Sequence, residues 1–163
     1  MTGHNAAASG EIVTPRSAWL GALRDATTEV FSMMVGAAVV APGTANCPVQ
    51  AYVTGVIGIT GAVNAVFSLR CSDNAAITIA SQMLGLSRDE SAAQKLDAVG
   101  EICNIVAGHF KLNIGYGEKC QLTVPTVIIG GNYRIHSVAA GERLEFPMMY
   151  EGEPLWFALD IRK

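Results

Sequence analysis

Acidic and amide side chains interrupt an otherwise apolar segment, DAVGEICNIVAGHFKLNIG, residues 97–115. At about 100° per residue on a helix, five positions of this segment share an arc of about 80°: Asp97, Glu101, Asn104, Gly108 and Lys111. A carboxylate can pair with a lysine or help position a water, and an amide can orient a water because it both donates and accepts hydrogen bonds. Without a nucleophile or a metal cluster, this set is incomplete as an active site. It is typical of side chains inserted into the site of another protein.

The polar stripe also fits an ordinary solvated helix face, because charged residues normally face water. Two details favour a contact surface instead. Asn104 is a weak helix former that solubility does not require. Gly108, one turn later, weakens an exposed helix further but leaves room for close approach. We therefore expect Glu101 and Asn104 to face solvent, while the opposite side packs on the core: Val99, Ile102, Cys103, Val106 and Phe110.

The three histidines do not complete a catalytic set with this stripe. His109 is adjacent in sequence, but on the helical projection it points about 60° or more away from Glu101 and Asn104. We interpret it as a packed or surface histidine. His4 lies near the N-terminus and His136 in a predicted strand, so no triad is indicated.

The elements that must position this helix form an α+β pattern. Ser17 is predicted to cap a helix that runs to about Val35 and is stopped by Gly36 or by the APG of residues 41–43. Two β-branched segments around a turn near Gly61 predict a hairpin. A short helix ends at Gly85, and Ser87 begins the long helix. Four strand segments follow: KCQLTVPTVIIGG, YRIHSVAA, ERLEFPMMYEG and PLWFALDIRK. This order predicts a single, largely antiparallel sheet covered by helices.

Glycines at positions 55, 58 and 61 of the hairpin could suggest a phosphate-binding loop. They lie within a strand pattern, however, and no GKS or GKT sequence follows them. Close packing of another element, or bending of the strand, is the better interpretation.

Length and charge limit the classes of function. The 163 residues suit one domain, residues 17–163, preceded by a flexible tail, residues 1–16. A net charge of −3, with 11 basic and 14 acidic residues and no basic cluster, argues against a nucleic-acid partner. The most apolar stretch, residues 51–67, is interrupted by glycine, threonine and asparagine, so no membrane span is predicted.

Four cysteines occur without a CxxC pair, at positions 47, 71, 103 and 120. Paired spacing is the usual signature of zinc sites, so we predict no metal site in this chain. Free thiols and the lack of a signal peptide indicate a cytoplasmic protein.

The signature D-x-x-x-E-x-x-N at Asp97, Glu101 and Asn104 resembles the [DS]xxxExxN motif of the CheC/CheX/FliY phosphatases of bacterial chemotaxis. The surrounding AVGEICNIVAGHFK and the downstream PTVIIGG are most similar to CheX-type domains. The resemblance implies a phosphatase that hydrolyses the aspartyl phosphate of a CheY-like response-regulator receiver domain. It also implies a CheX/CheC-like fold and a homodimer joined through sheet edges.

By the same resemblance, Asn104 would orient the attacking water and Glu101 would contact the lysine of the receiver. Asp97, Gly108 and Lys111 would be supporting or partner-contact residues. This chain would bind no cofactor, since Mg²⁺ is expected on the receiver domain.

Alternative interpretations remain open at this point. The chain could bind a receiver without hydrolysing its phosphate, or it could sense a small ligand through the glycine-rich hairpin. A second, weaker copy of the motif also occurs in the first helix, at Asp25, Glu29 and Ser32. A serine hydroxyl lacks the paired donor and acceptor of an amide, so we interpret this copy as inactive or coincidental.

Overall fold

A computed structural model describes residues 16–43, 49–136 and 141–162. It contains three α-helices and six strands, with a π-helical turn, Phe31–Val35, that continues the first helix. The helices are α1 Arg16–Val30, α2 Asp73–Leu84 and α3 Arg88–Asn113. The strands are β1 Val53–Gly61, β2 Ala65–Cys71, β3 Cys120–Leu122, β4 Thr126–Ile129, β5 Gly141–Tyr150 and β6 Glu153–Arg162.

The strands form one antiparallel sheet in the order β3-β1-β2-β6-β5, and β4 also pairs with β1. Stacked aromatic rings fill its centre, with the Phe157 ring 5.4 Å from Phe146 and 6.3 Å from Phe67. The helices pack on this core. The ring of Phe31, in the π-helical turn, contacts the Phe157 ring of β6 edge to face. The Trp19 ring of α1 contacts the Phe110 ring of α3 in the same way. The predicted α+β fold, a single sheet covered by helices, is confirmed.

Most predicted helix boundaries are confirmed. Gly36 and Gly85 adopt left-handed backbone angles at the two predicted helix ends, a conformation that glycine reaches without steric cost. Ser87 caps α3 in a reciprocal capping box with Glu90. Hydrogen bonds from Ser87 hold the pKa of the Glu90 carboxyl below its usual value. The prediction for Ser17 was wrong, since α1 already includes this residue.

Two strand predictions need correction. KCQLTVPTVIIGG forms two short strands, β3 and β4, rather than one, because its backbone leaves the ladder near Pro125, which has no N–H to donate. Residues 133–136 of YRIHSVAA, His136 among them, are irregular, and the remaining residues of that segment lie outside the described chain.

The predicted division into a tail, residues 1–16, and a domain, residues 17–163, stays a prediction. Residues 1–15 lie outside the described part of the chain, as do His4 and Cys47.

Candidate functional site

Helix α3 presents the predicted signature on its outer face. Asp97 and Glu101 are exposed and Asn104 is half-buried, whereas all five residues predicted for the opposite side are buried. Within the described part of the chain, the side chains of Glu101 and Asn104 form no hydrogen bond or ion pair. The expectation that this pair faces solvent is therefore confirmed for Glu101 and in part for Asn104. Both polar groups are available to a partner.

Strand β1 packs directly against α3, because β1 has a glycine where the two elements meet. A Cβ atom added to Gly55 would lie 2.5 Å from the Cys103 Sγ and 3.0 Å from a Val99 methyl group. At Gly58, an added Cβ would lie 2.9 Å from the Thr123 methyl group. These hairpin glycines therefore serve close packing, as predicted, and their space is filled by the protein itself.

The segment from β3 to β4 lies along one flank of α3. Gly100 faces Pro125 and Val127, since a Cβ added there would be 3.5 Å from the nearest Val127 methyl group. Gly108 faces Leu122, with 4.0 Å between an added Cβ and the nearest Leu122 methyl group. Two turns of α3 are thus held against the sheet edge, and the outer face between them carries Asn104.

Lys111 belongs to this flank rather than to the open face. Its Nζ donates a 2.7 Å hydrogen bond to the carbonyl oxygen of Cys120, the first residue of β3. The side chain therefore joins the last turns of α3 to the sheet.

His109 lies on the opposite flank of α3, which packs against α1. Its Nδ1 is 3.3 Å from the Glu29 Oε2, so Glu29 of the motif-like copy is already engaged. Ser32 lies in the π-helical turn, where the regular 3.6-residue period is lost. Asp25, Glu29 and Ser32 therefore do not reproduce the arrangement on α3.

The thiols near α3 are unsuited to nucleophilic chemistry. Burial raises the pKa of the Cys103 thiol far above its usual value. Burial, and then the negative charges of Glu153 and Asp73, raise the pKa of Cys71 to about 12. Both side chains remain protonated at neutral pH and behave as small apolar groups.

Neither a metal centre nor a membrane span is found in the part of the chain that the structure describes. In those residues, no three histidine, cysteine, aspartate or glutamate side chains are grouped to hold a metal ion. None of the described helices is both long and apolar enough to cross a bilayer.

Val124 is one residue of this region that sequence reasoning missed. It lies between β3 and β4 beside α3, and its side chain is 86 % exposed, although valine is apolar. The signal that could have revealed it is Pro125, because proline within a strand pattern marks an edge or a bulge.

The family model of the chemotaxis phosphatase CheX matches residues 53–149, which include all of α3 and the segment from β3 to β4. This chain belongs to the CheX family. A curated relative, the CheY-P phosphatase CheX of Thermotoga maritima, is 31% identical over 84 residues, which are 50% of this chain and 54% of the relative. The match thus spans about half the length of that protein.

Solved structures share the fold of this CheX-family chain. A CheC-like superfamily protein from Shewanella sp. PV-4 aligns with a TM-score of 0.75 and 21% identity, covering 91% of this chain and 100% of that one. The CheX–CheY–BeF₃–Mg²⁺ complex from Borrelia burgdorferi gives a TM-score of 0.72 and 22% identity, with coverages of 89% and 98%. The predicted CheX/CheC-like fold is confirmed.

Proposed function

We propose that this CheX-family chain is a hydrolase that accelerates loss of phosphate from the aspartyl phosphate of a CheY-like response-regulator receiver domain. The observation that carries the proposal is the pair Glu101 and Asn104, three residues apart on the outer face of α3 and without a hydrogen-bond or ion-pair partner among the residues that the structure describes. The T. maritima relative, a CheY-P phosphatase, supports the reaction, and the B. burgdorferi complex of CheX with CheY supports the partner.

The proposed mechanism divides the work between two proteins. The Asn104 amide accepts a hydrogen bond from a water and orients it in line with the phosphorus, which lowers the barrier by positioning alone. The Glu101 carboxylate pairs with the lysine of the receiver and fixes the docked geometry. Mg²⁺, held by the receiver, would neutralise charge on the phosphoryl oxygens, so this chain needs no cofactor of its own.

The remaining predicted residues support this pair in different ways. Asp97, one turn before Glu101, is exposed and would lie at the margin of the contact. Gly108, one turn after Asn104, faces Leu122 and lets the β3–β4 segment lie beside the helix. Lys111 keeps the end of α3 in place through its bond to β3.

The decisive experiment measures decay of a phosphorylated receiver, with Mg²⁺, in the presence of wild type or Asn104→Ala. We expect the substitution to lower the maximal rate acceleration by about a hundredfold or more, because orientation of the water is lost. Binding of the receiver should persist, since this interaction contributes chiefly in the transition state. Stability should hold or rise by about 0.5 kcal/mol, because alanine is the better helix former.

Ser32→Ala is the matched control, because Ser32 occupies the corresponding position of the motif-like copy and is also exposed. It should change the rate little. If Asn104→Ala is as active as wild type, the role given to Asn104 is wrong. If wild type binds receivers but accelerates hydrolysis for none of them, the chain is a binding module of the same fold.

A cytoplasmic homodimer is part of the same proposal. The outer strands of the described sheet are β5 on one side and β3 with β4 on the other, and strands at a sheet edge can pair with a second copy. Free, buried thiols such as Cys71 and Cys103 are typical of proteins kept in a reducing compartment.

A further inference from the structure

A β-bulge lies at the sheet edge beside the Glu101–Asn104 pair. Ile59 pairs with Leu122 and Val56 pairs with Thr126. Between these two pairs, β1 has only residues 57–58, whereas the opposite segment has residues 123–125. The opposite segment therefore has one residue more than β1, which is the definition of a bulge, and bulges often redirect a side chain next to a functional site.

The bulge is fixed at both ends, so its geometry is not that of a loose loop. The Thr123 N–H donates to the Gly58 carbonyl oxygen at 2.9 Å, and the Gly58 N–H donates to the Thr123 Oγ1 at 2.8 Å. Pro125 has no N–H to donate and packs against Gly100. Val124 remains as the residue between these anchors, and its side chain is 86 % exposed.

Val124 is flanked by residues that pack on α3. Leu122 faces Gly108, and Pro125 faces Gly100. Val124 lies between these two contacts but is itself 86 % exposed, so its side chain is directed to solvent rather than into the contact between this segment and α3.

The contacts also set the position of Val124 along the helix. Leu122 lies beside Gly108, and Pro125 lies beside Gly100, so the segment runs antiparallel to α3. The eight residue steps from Gly100 to Gly108 span about 12 Å of helix, which the three extended steps from Leu122 to Pro125 nearly match at about 10 Å. Val124 is two steps from Leu122 and one from Pro125, so it lies level with the turn of α3 that contains Glu101 and Asn104.

We propose that Val124 is an apolar docking contact for the phosphorylated receiver domain, placed by the bulge beside the water-orienting amide. This inference rests on the proposed function and specifies the surface that the partner covers. A domain that brings its phosphoryl group to Asn104 must also cover the exposed side chain of Val124. Burial of the valine side chain then stabilises the complex. An acidic residue at this position would be desolvated near the phosphoryl group and repelled by it.

The test measures binding and rate separately. Binding is titrated with a receiver domain loaded with beryllofluoride and Mg²⁺, and the rate is followed against the concentration of phosphorylated receiver. Val124→Asp should weaken binding at least tenfold and raise KM by the same factor, with kcat within about twofold of wild type. Val124→Ala should weaken binding about threefold. Neither should lower the melting temperature by more than a few degrees, because the side chain is exposed in the free protein.

Val40→Asp is the matched control, since Val40 is also exposed but is bridged to Met149 on β5, at the opposite sheet edge. It should bind and react as wild type does. The proposal is overturned if Val124→Asp binds the receiver as tightly as wild type does. It is also overturned if Val40→Asp loses as much affinity as Val124→Asp. Failure of the proposed function gives a different pattern, in which wild type binds the beryllofluoride form without accelerating hydrolysis. The difference in affinity between wild type and the Val124 variants then still tests the docking contact.

Discussion

Glu101 and Asn104 are neighbours on α3, but we expect them to contribute at different stages of the reaction. Asn104 is half-buried beside the β3–β4 segment and carries a neutral amide, which suits it to hold a water. Glu101 is exposed and carries a charge, which suits it to attract a cationic group across an interface. Substitution of the two residues should therefore separate catalysis from binding.

Glu101→Gln keeps the size of the side chain and removes its charge. We expect the affinity for the beryllofluoride-loaded receiver to fall by roughly 2 kcal/mol, about thirtyfold, because the lysine of the receiver would lose its counter-charge on docking. The affinity of the variant should also depend less on salt than that of wild type, since an ion pair is screened by added ions. Isothermal titration at two ionic strengths measures both effects.

Glu118→Gln makes the same chemical change at another exposed carboxylate, in the turn after α3. Its affinity and salt dependence should match those of wild type. A Glu101→Gln variant that binds normally at low salt would show that Glu101 makes no charged contact with the receiver.

At the scale of the elements, the position of the signature depends on how closely α3 approaches β1. Gly55 allows this approach, because Cys103 and Val99 occupy the space where a side chain would begin. On the flank, Gly100 and Gly108 let the β3–β4 segment lie against the helix. The outer face of α3 is therefore held in one position by contacts on two sides.

Gly55→Ala should lower the free energy of unfolding by about 1–3 kcal/mol, because the added methyl group collides with the Cys103 Sγ inside a packed core. Urea denaturation followed by circular dichroism measures the change. Adding Cys103→Ala should make Gly55→Ala less costly than it is alone, since the two residues share the same space.

Gly108→Ala is the control for this prediction, because its added methyl group meets nothing closer than 4.0 Å and gains helix propensity. It should raise stability by about 0.5–1 kcal/mol. If Gly55→Ala were as stable as wild type, α3 would not be held by close packing on β1.

At the scale of the whole molecule, the two edges of the sheet differ in character. The β3–β4 edge is interrupted by the bulge and lies beside the proposed catalytic pair. The β5 edge runs for ten residues, although Val40 bridges to Met149 near one end and Pro147 lies within it. Proline in a strand is typical of an edge, because it cannot donate to a neighbouring ladder.

We expect the protein to be a homodimer at micromolar concentration, since strands at the edge of a sheet can pair with those of a second copy. Multi-angle light scattering should give about twice the chain mass of 17.1 kDa. The mass should stay constant on tenfold dilution if the interface is stable. A mass near that of a single chain throughout this range would contradict the expectation.

The sequence by itself was sufficient to predict the helices, the hairpin and the fold class. Those features depend on local chemistry: Ser87 with Glu90 at the start of α3, Gly85 after α2, and the apolar period that buries Val99, Cys103 and Phe110. The candidate signature could also be predicted, because residues with i, i+4 and i+7 spacing share one face of any helix.

Contacts between distant parts of the chain were decided only by the tertiary structure. Lys111 shares the projected stripe, yet it bonds to Cys120, because the sheet edge lies within its reach. Glu29 pairs with His109 only because α1 packs beside α3. The bulge at Val124 depends on the register between β1 and its two partners, β3 and β4. That register leaves one more residue in the β3–β4 segment than in the part of β1 opposite it. A sequence pattern specifies which face a residue takes on its own element, but not which element lies opposite.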